Sequence, residues 1–173
     1  MALAGNQGEL DRLVADHLPE ALRFALRLCG CHETASEIVQ EALCRAARGI
    51  GSFEGRSQFR TWFYRIIISA FHDYTAAAAR QSRSGELTEE LADTRGEDPA
   101  AAAMTNELRD LIARRVSALP LRQREVLLLI TYEQLRPSEV AEVLGISESN
   151  VHVNLHYART RLREELAAYL SEK

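Results

Sequence analysis

Pro137-Ser138-Glu139-Val140-Ala141-Glu142-Val143-Leu144-Gly145-Ile146-Ser147-Glu148-Ser149-Asn150-Val151 decides how this chain of 173 residues reads. Ala141 is a small residue where two helices have to approach closely. Gly145 follows at the point where the chain must turn, and a positive φ there is cheap only for glycine. Ser147 is placed to cap the next helix through its hydroxyl, and Val151 restarts an apolar face. Alanine, glycine and an apolar residue at this spacing form the pattern of a helix-turn-helix. Nucleic acid is therefore the first partner class to consider, ahead of a small molecule.

The helix that follows divides into two faces. Val151, Leu155 and Ala158 repeat at spacings of four and three and form the inner side. Ser149, Asn150, His152, Val153, Asn154 and His156 form the side that would enter a groove, where Asn pairs with adenine and Ser or His donates to bases and phosphates. Arg159, Arg161 and Arg163 come next and suit phosphate contacts.

The net charge of −4 is unusual for a DNA-binding chain, so its distribution matters. Residues 1–85 hold ten Lys and Arg against nine Asp and Glu, and residues 108–173 hold the same numbers. Residues 86–107 hold one against seven. The acidity is concentrated between two nearly neutral halves. Binding driven by a strongly basic face is not supported, and any DNA affinity rests on local arginine clusters or on a partner.

Apolar spacing places further helices upstream. Leu10, Leu13, Val14 and Leu18 form one, and Pro19 is positioned to open a second carrying Leu22, Ala25, Leu26 and Cys29, stopped by Gly30. Thr34-Ala35-Ser36-Glu37 reads as a capping box ahead of Ile38, Val39, Ala42, Leu43 and Ala46, with Gly49 and Gly51 at the far end. Ser57 precedes a long helix bearing Phe59, Trp62, Phe63, Ile66, Ile67, Ala70, Phe71 and Tyr74. Residues 82–98 lose the period and read as an acidic, flexible linker. Asp98-Pro99 starts a second unit. Met104, Leu108, Leu111, Ile112 and Leu119 mark its first helix and Val126–Ile130 its next. The expected fold is all-α: two small helical domains, residues 1–81 and 99–173, with the helix-turn-helix in the second.

Phe59-Arg60-Thr61-Trp62-Phe63-Tyr64-Arg65 interleaves aromatics with arginines, a composition that stacks unpaired bases and neutralises phosphate. Spacing alone favours the core for Trp62. Cys29-Gly30-Cys31-His32, with Cys44, is a weak metal pattern against the plainer reading of Cys29 and Cys44 as small apolar residues, and no metal is expected. No glycine-rich phosphate loop, paired carboxylates or Ser-His-Asp set stands out, so no catalytic residue or cofactor is expected. No apolar run reaches membrane-spanning length, and the start lacks a basic-then-apolar leader. These features suggest a cytoplasmic protein.

Taken in order, these pieces resemble the extracytoplasmic-function sigma factors, the two-domain promoter-specificity subunits of bacterial RNA polymerase. The matching residues are Glu37-Ile38-Val39-Gln40-Glu41-Ala42 with Arg45-Ala46, then Phe59-Arg60-Thr61-Trp62-Phe63-Tyr64-Arg65-Ile66. In the second unit they are Leu119-Pro120-Leu121-Arg122-Gln123-Arg124-Glu125-Val126-Leu127-Leu128-Leu129, Glu139-Val140-Ala141-Glu142-Val143-Leu144-Gly145-Ile146-Ser147 and Leu155-His156-Tyr157-Ala158-Arg159-Thr160-Arg161-Leu162. The resemblance runs roughly over residues 8–168.

It implies that Glu37, Val39, Gln40, Glu41 and Arg45 dock on the β′ clamp helices of the polymerase core. It implies that Arg60, Trp62, Arg65, Ser69, His72, Asp73 and Arg80 meet the minus-ten promoter element. Ser149, Asn150, His152, Val153, Asn154, His156, Arg159 and Arg161 would meet the minus-thirty-five element. The linker would thread toward the RNA exit path, and Leu121–Ile130 would contact the β flap. The implied partners are core polymerase, promoter DNA and an anti-sigma factor, which would hold the protein at the membrane if it is itself membrane-bound; no small-molecule substrate is implied.

The chain departs from the family pattern at Ser69, where Asn is common. It departs again at Thr75-Ala76-Ala77-Ala78-Ala79-Arg80, where arginines often run together, and at His152, Asn154 and Tyr157, where a Lys and two Arg are usual. Each change removes a phosphate or guanine contact. A regulator of the helix-turn-helix class acting without polymerase is the alternative; the first domain shows neither a dimerisation element nor a ligand domain to support it.

Overall fold

The structure, a computed structural model, describes residues 7–50, 53, 58–83 and 102–171. Those residues form seven α-helices and no strand: α1 (Gln7–Cys29), α2 (His32–Gly49), α3 (Phe59–Arg83), α4 (Ala102–Ser117), α5 (Leu121–Thr131), α6 (Pro137–Leu144) and α7 (Glu148–Ser171). Ser57 and residues 84–101, which hold most of the expected linker and its Asp98-Pro99 boundary, lie outside the described residues.

The first unit is α1, α2 and α3 packed together. Its core joins Ala21, Phe24, Ala25 and Leu28 of α1 to Ile38, Val39, Ala42 and Ala46 of α2 and Phe59, Phe63, Ile67 and Phe71 of α3. The alanines on α2 let the helix axes approach, and the aromatic rings fill the space between them. Fully burying one such aromatic contributes about 1.5–3 kcal/mol.

Two helix starts differ from the sequence expectation. Pro19 opens no second helix, because α1 is continuous over 23 residues with Pro19 inside it. Proline removes one backbone hydrogen bond, but Leu13, Val14 and Leu18 pack against the same core as Ala21, Phe24, Ala25 and Leu28. Burial on both sides keeps the segments in line. Helix α2 begins at His32, with Cys31 at its N-cap and no side-chain cap. The Thr34 hydroxyl instead meets the Tyr74 hydroxyl at 3.3 Å.

The second unit packs α5 against α6 and α7, and α4 against α7. Its core holds Leu119, Val126, Leu127, Leu128, Leu129, Val140, Val143, Val151, Leu155 and Ala158. Leu22, Tyr74 and Leu108, each assigned to an apolar face, are instead exposed at 37%, 37% and 42%.

The quoted turn forms as the residues dictate. Gly145 is left-handed at φ 63°, ψ 36°, and its N–H returns to the Ala141 carbonyl. The Ser147 hydroxyl accepts the Asn150 N–H at 3.2 Å. At the start of α6, Glu139 accepts the Arg136 N–H at 2.8 Å and the Arg136 guanidinium at 3.2 Å. These hydrogen bonds hold the Glu139 carboxyl below its usual range.

The two units are docked on each other, α3 against α6 and α1 against both α4 and α5. The turn between α5 and α6 helps to shape this contact. Gln134 sits there at φ 53°, a left-handed conformation costing a non-glycine residue about 1 kcal/mol. Its side-chain amide donates to the Thr131 carbonyl at 2.6 Å, which secures the turn that carries Glu133.

Candidate nucleic-acid interface

Helix α7 separates its faces as its spacing requires. Val151 and Ala158 are fully buried and Leu155 nearly so, while Ser149, Asn150, His152, Val153, His156, Arg159 and Arg161 are exposed. Val153 is 46% and Tyr157 57% exposed, unusual for large apolar or aromatic side chains and suited to contact with thymine methyls or base edges. Asn154 is only half exposed, and its amide donates to the Asn150 carbonyl at 2.8 Å. One amide hydrogen is thereby committed to the helix backbone, which leaves the second N–H and the Oδ1 acceptor for an outside partner. His152 lies 3.9 Å from Glu148 on the same face.

On α2, Glu37, Gln40 and Glu41 stand exposed in a ridge. Val39 does not share it. Its side chain is 2% exposed and packs in the first-unit core, because it falls on the same helical face as Ala35, Ala42 and Ala46. The docking contact expected of Val39 is therefore replaced by a packing role. Arg45 closes the ridge against α3. It donates to Glu41 at 2.8 Å, to Ser69 at 3.3 Å and to Asp73 at 2.7 Å, and these bonds hold its proton more firmly. Three residues assigned to two different surfaces, Arg45, Ser69 and Asp73, thus form one cluster.

The remaining residues of α3 divide. Arg80 is exposed. Trp62 is half-buried, its ring 5.2 Å from Phe53 and 5.6 Å from Phe59 and against Gly49, so packing governs it, as spacing alone favoured. Arg60, Arg65 and His72 all engage the second unit. The Arg60 guanidinium donates to the Glu133 carbonyl and lies 3.6 Å from its carboxylate. Arg65 donates to the Glu142 carboxylate at 2.9 Å. His72 Nε2 is 2.5 Å from Glu125.

Around these three lie residues that sequence spacing left unassigned. Tyr64 donates its hydroxyl to Glu133, and burial followed by this bond raises its pKa. Arg27 lies over the Tyr132 ring at 4.4 Å and 3.8 Å from Glu133. Glu125 is fully buried and Glu133 is 4% exposed. Arg122 comes within 3.0 Å of Glu125 Oε2, near enough for charge attraction, yet neither atom makes a hydrogen bond there. One sequence signal was present: Glu125 directly precedes the Val126–Leu129 run and shares a helix face with Leu128 and Leu129.

The cysteines do not converge on a site. Cys29 is half-buried, its thiol donates to the Cys31 carbonyl at 3.3 Å, and burial raises its pKa. Cys31 is lowered by hydrogen bonds from Thr34 and Glu33. Cys44 is exposed, contrary to the apolar packing expected of it. Among the described residues no group of three or more His, Cys, Asp or Glu side chains is placed to hold a metal, and no helix is long and apolar enough to cross a membrane.

Residues 13–81 match the family model described as Sigma-70 region 2, and residues 109–162 that described as Sigma-70, region 4. The chain belongs to the extracytoplasmic-function sigma factors of RNA polymerase. It is 27% identical to the RNA polymerase sigma factor YlaC of Bacillus subtilis, over 97% of this chain and 98% of that protein. It is 28% identical to the ECF RNA polymerase sigma factor SigW of the same organism, over 94% of this chain and 91% of that one. In fold it is similar to the sigma factor RpoE of Bartonella quintana, solved in complex with the anti-sigma factor NepR. That similarity has TM-score 0.78 and 23% identity, and covers 92% of this chain and 97% of the other. The two family segments of this sigma factor correspond to its two helical units, with the unmatched stretch between them. A helix-turn-helix regulator working apart from polymerase is not favoured by these matches.

Proposed function

We propose that this sigma factor divides its work between the two units, residues 1–81 and 99–173, tethered by the acidic segment 82–98. The ridge of Glu37, Gln40 and Glu41, braced by Arg45, docks on the β′ subunit of core polymerase. Helix α3 recognises the minus-ten element through Arg60, Arg65, Ser69, His72, Asp73 and Arg80, with Trp62 supporting the surface from its aromatic packing. Opening the duplex there needs no chemistry from the protein, since capturing unstacked bases on cationic and aromatic side chains offsets the cost of unpairing.

Helix α7 recognises the minus-thirty-five element through Ser149, Asn150, His152, Val153, Asn154 and His156, with Arg159 and Arg161 on the phosphates. The observation that carries this reading is the division of α7 into a buried Val151–Leu155–Ala158 seam and an exposed polar face, set at its angle by Gly145 and Ser147. The Leu121–Ile130 helix meets the β flap. The protein acts in the cytoplasm as a specificity subunit, not an enzyme, and an anti-sigma factor of the kind seen with RpoE of Bartonella quintana restrains it.

In vitro transcription with purified bacterial core polymerase and a promoter library tests the assignment. Start sites sharing two conserved elements are expected. Absence of both core binding and specific initiation overturns it.

A further inference from the structure

The outer face of α7 is polar except at its centre. Val153 and Tyr157 are the two most exposed large apolar or aromatic side chains among the described residues. They stand one turn apart, so their side chains share one strip of helix surface. At 3.6 residues per turn, Val153 falls almost opposite the buried Val151–Leu155–Ala158 seam. The strip therefore occupies the middle of the outward face. His152 and His156 run along one side of it and Asn150 and Arg161 along the other, all four exposed. The His156 ring meets the Tyr157 ring edge-on at 5.8 Å, which limits where the tyrosine can turn.

Two apolar side chains left in water at the centre of a polar face gain by burial against an apolar partner. Along the major-groove edges of the four bases, the apolar group is the C5 methyl of thymine; the other edges present donors and acceptors. An apolar strip pressed onto a guanine or adenine edge would bury those polar atoms without partners. Pressed onto a methyl, it buries none. Position agrees with this choice: the first turns of a recognition helix reach the bases, and Val153 lies in the second turn of α7 and Tyr157 in the third. A protein partner could also cover apolar side chains, but the groups flanking this strip are the donors that base edges and phosphates accept.

We propose that Val153 and Tyr157 form a methyl-reading strip: they recognise the C5 methyl of pyrimidines in the upstream element, so that this chain selects thymine there, and cytosine only when its C5 carries a methyl. The inference rests on the assignment of α7 to the minus-thirty-five element and names the chemical group recognised within it. Burial of one methyl group corresponds to about a fourfold change in affinity.

The test uses the full chain bound to purified bacterial core polymerase. A duplex library randomised across the upstream element is passed over this complex, and the enriched sequence is synthesised. Each thymine is then replaced singly by uracil, which removes the methyl and leaves every hydrogen-bonding group of the base in place. At one or two neighbouring thymines, uracil is expected to weaken binding about fourfold. A cytosine placed at the same position should bind about fourfold more tightly when methylated at C5.

Val153→Ala with Tyr157→Ser should bring the thymine-to-uracil ratio at those positions close to one. Both side chains are exposed, so circular dichroism should show an unaltered helical content. Tyr157→Phe keeps the ring and should keep the ratio. A ratio of one at every thymine in the wild-type complex overturns the proposal, as does a ratio that survives loss of both side chains. If the double variant weakens binding to core polymerase while the ratio stands, the strip is a protein contact and the proposal is likewise overturned. An enriched element without methyl dependence removes this inference alone. Absence of any enriched upstream element removes the α7 assignment as well.

Discussion

Replacing Gly145 isolates the conformational demand on which the helix-turn-helix depends. A Cβ at this position meets no heavy atom within 4 Å, so collision contributes nothing to the cost. What remains is the φ of 63°. An L-residue in that region loses about 1–2 kcal/mol, and Gly145→Ala recovers roughly 0.4–1 kcal/mol by restricting the unfolded chain. The expected net loss is about 1 kcal/mol, equivalent to roughly 2–4 °C in melting temperature for a chain of this size. Gly145→Asn should lose less, because asparagine enters the left-handed region more readily, and Gly145→Val more, because a β-branched side chain resists it. Urea unfolding followed by circular dichroism measures all three. The order Asn, Ala, Val in rising cost is the signature. Equal stability of Ala, Val and wild type would mean that the turn does not require a positive φ. A loss above about 3 kcal/mol for Ala would mean that a contact, not the backbone, governs the site.

Three further outcomes follow from the surfaces. Gln40→Arg with Glu41→Arg reverses the α2 ridge and should reduce affinity for core polymerase at least about tenfold with the helical content intact; unchanged binding in a pull-down titration removes the docking assignment. Asn150→Ala with His156→Ala should weaken binding to upstream-element duplex about tenfold while leaving core binding unaltered, and unaltered promoter choice in transcription assays counts against α7 as the reader. The Glu139 carboxyl is held below its usual range by its hydrogen bonds to Arg136, so its folded pKa lies below the unfolded one. Its contribution is present above the ordinary carboxylate range and fades as pH falls through the depressed value. Glu139→Gln should accordingly be less stable than wild type at neutral pH, with the gap closing in acid, and a gap independent of pH contradicts the cap.

Much of this fold is legible because it is local. The α7 seam of Val151, Leu155 and Ala158, the left-handed Gly145 and the Ser147 cap follow from spacing and from the conformational range of single residues. Pro19 and Thr34 misled for one reason. Each is a good helix-start residue taken alone, but the choice of start belonged to the packed core. Burial on both sides of Pro19 kept α1 continuous, and Thr34 found Tyr74 across the interface between α2 and α3. Val39 could be read as part of a matching ridge motif, yet helical phase turned it inward beside Ala42.

The amino-acid order by itself determined most of the helices, the two units, the acidic stretch between them and the polar face of α7, because periodicity and capping act within a few residues. Only the tertiary structure decided which charges meet. Arg60, Tyr64, Arg65 and His72 lie more than fifty positions from Glu125, Glu133 and Glu142, and no local rule links them. Their pairing follows from docking α3 and α1 against α5 and α6, where the buried Glu125 and Glu133 meet His72, Arg60 and Tyr64 of the opposite unit.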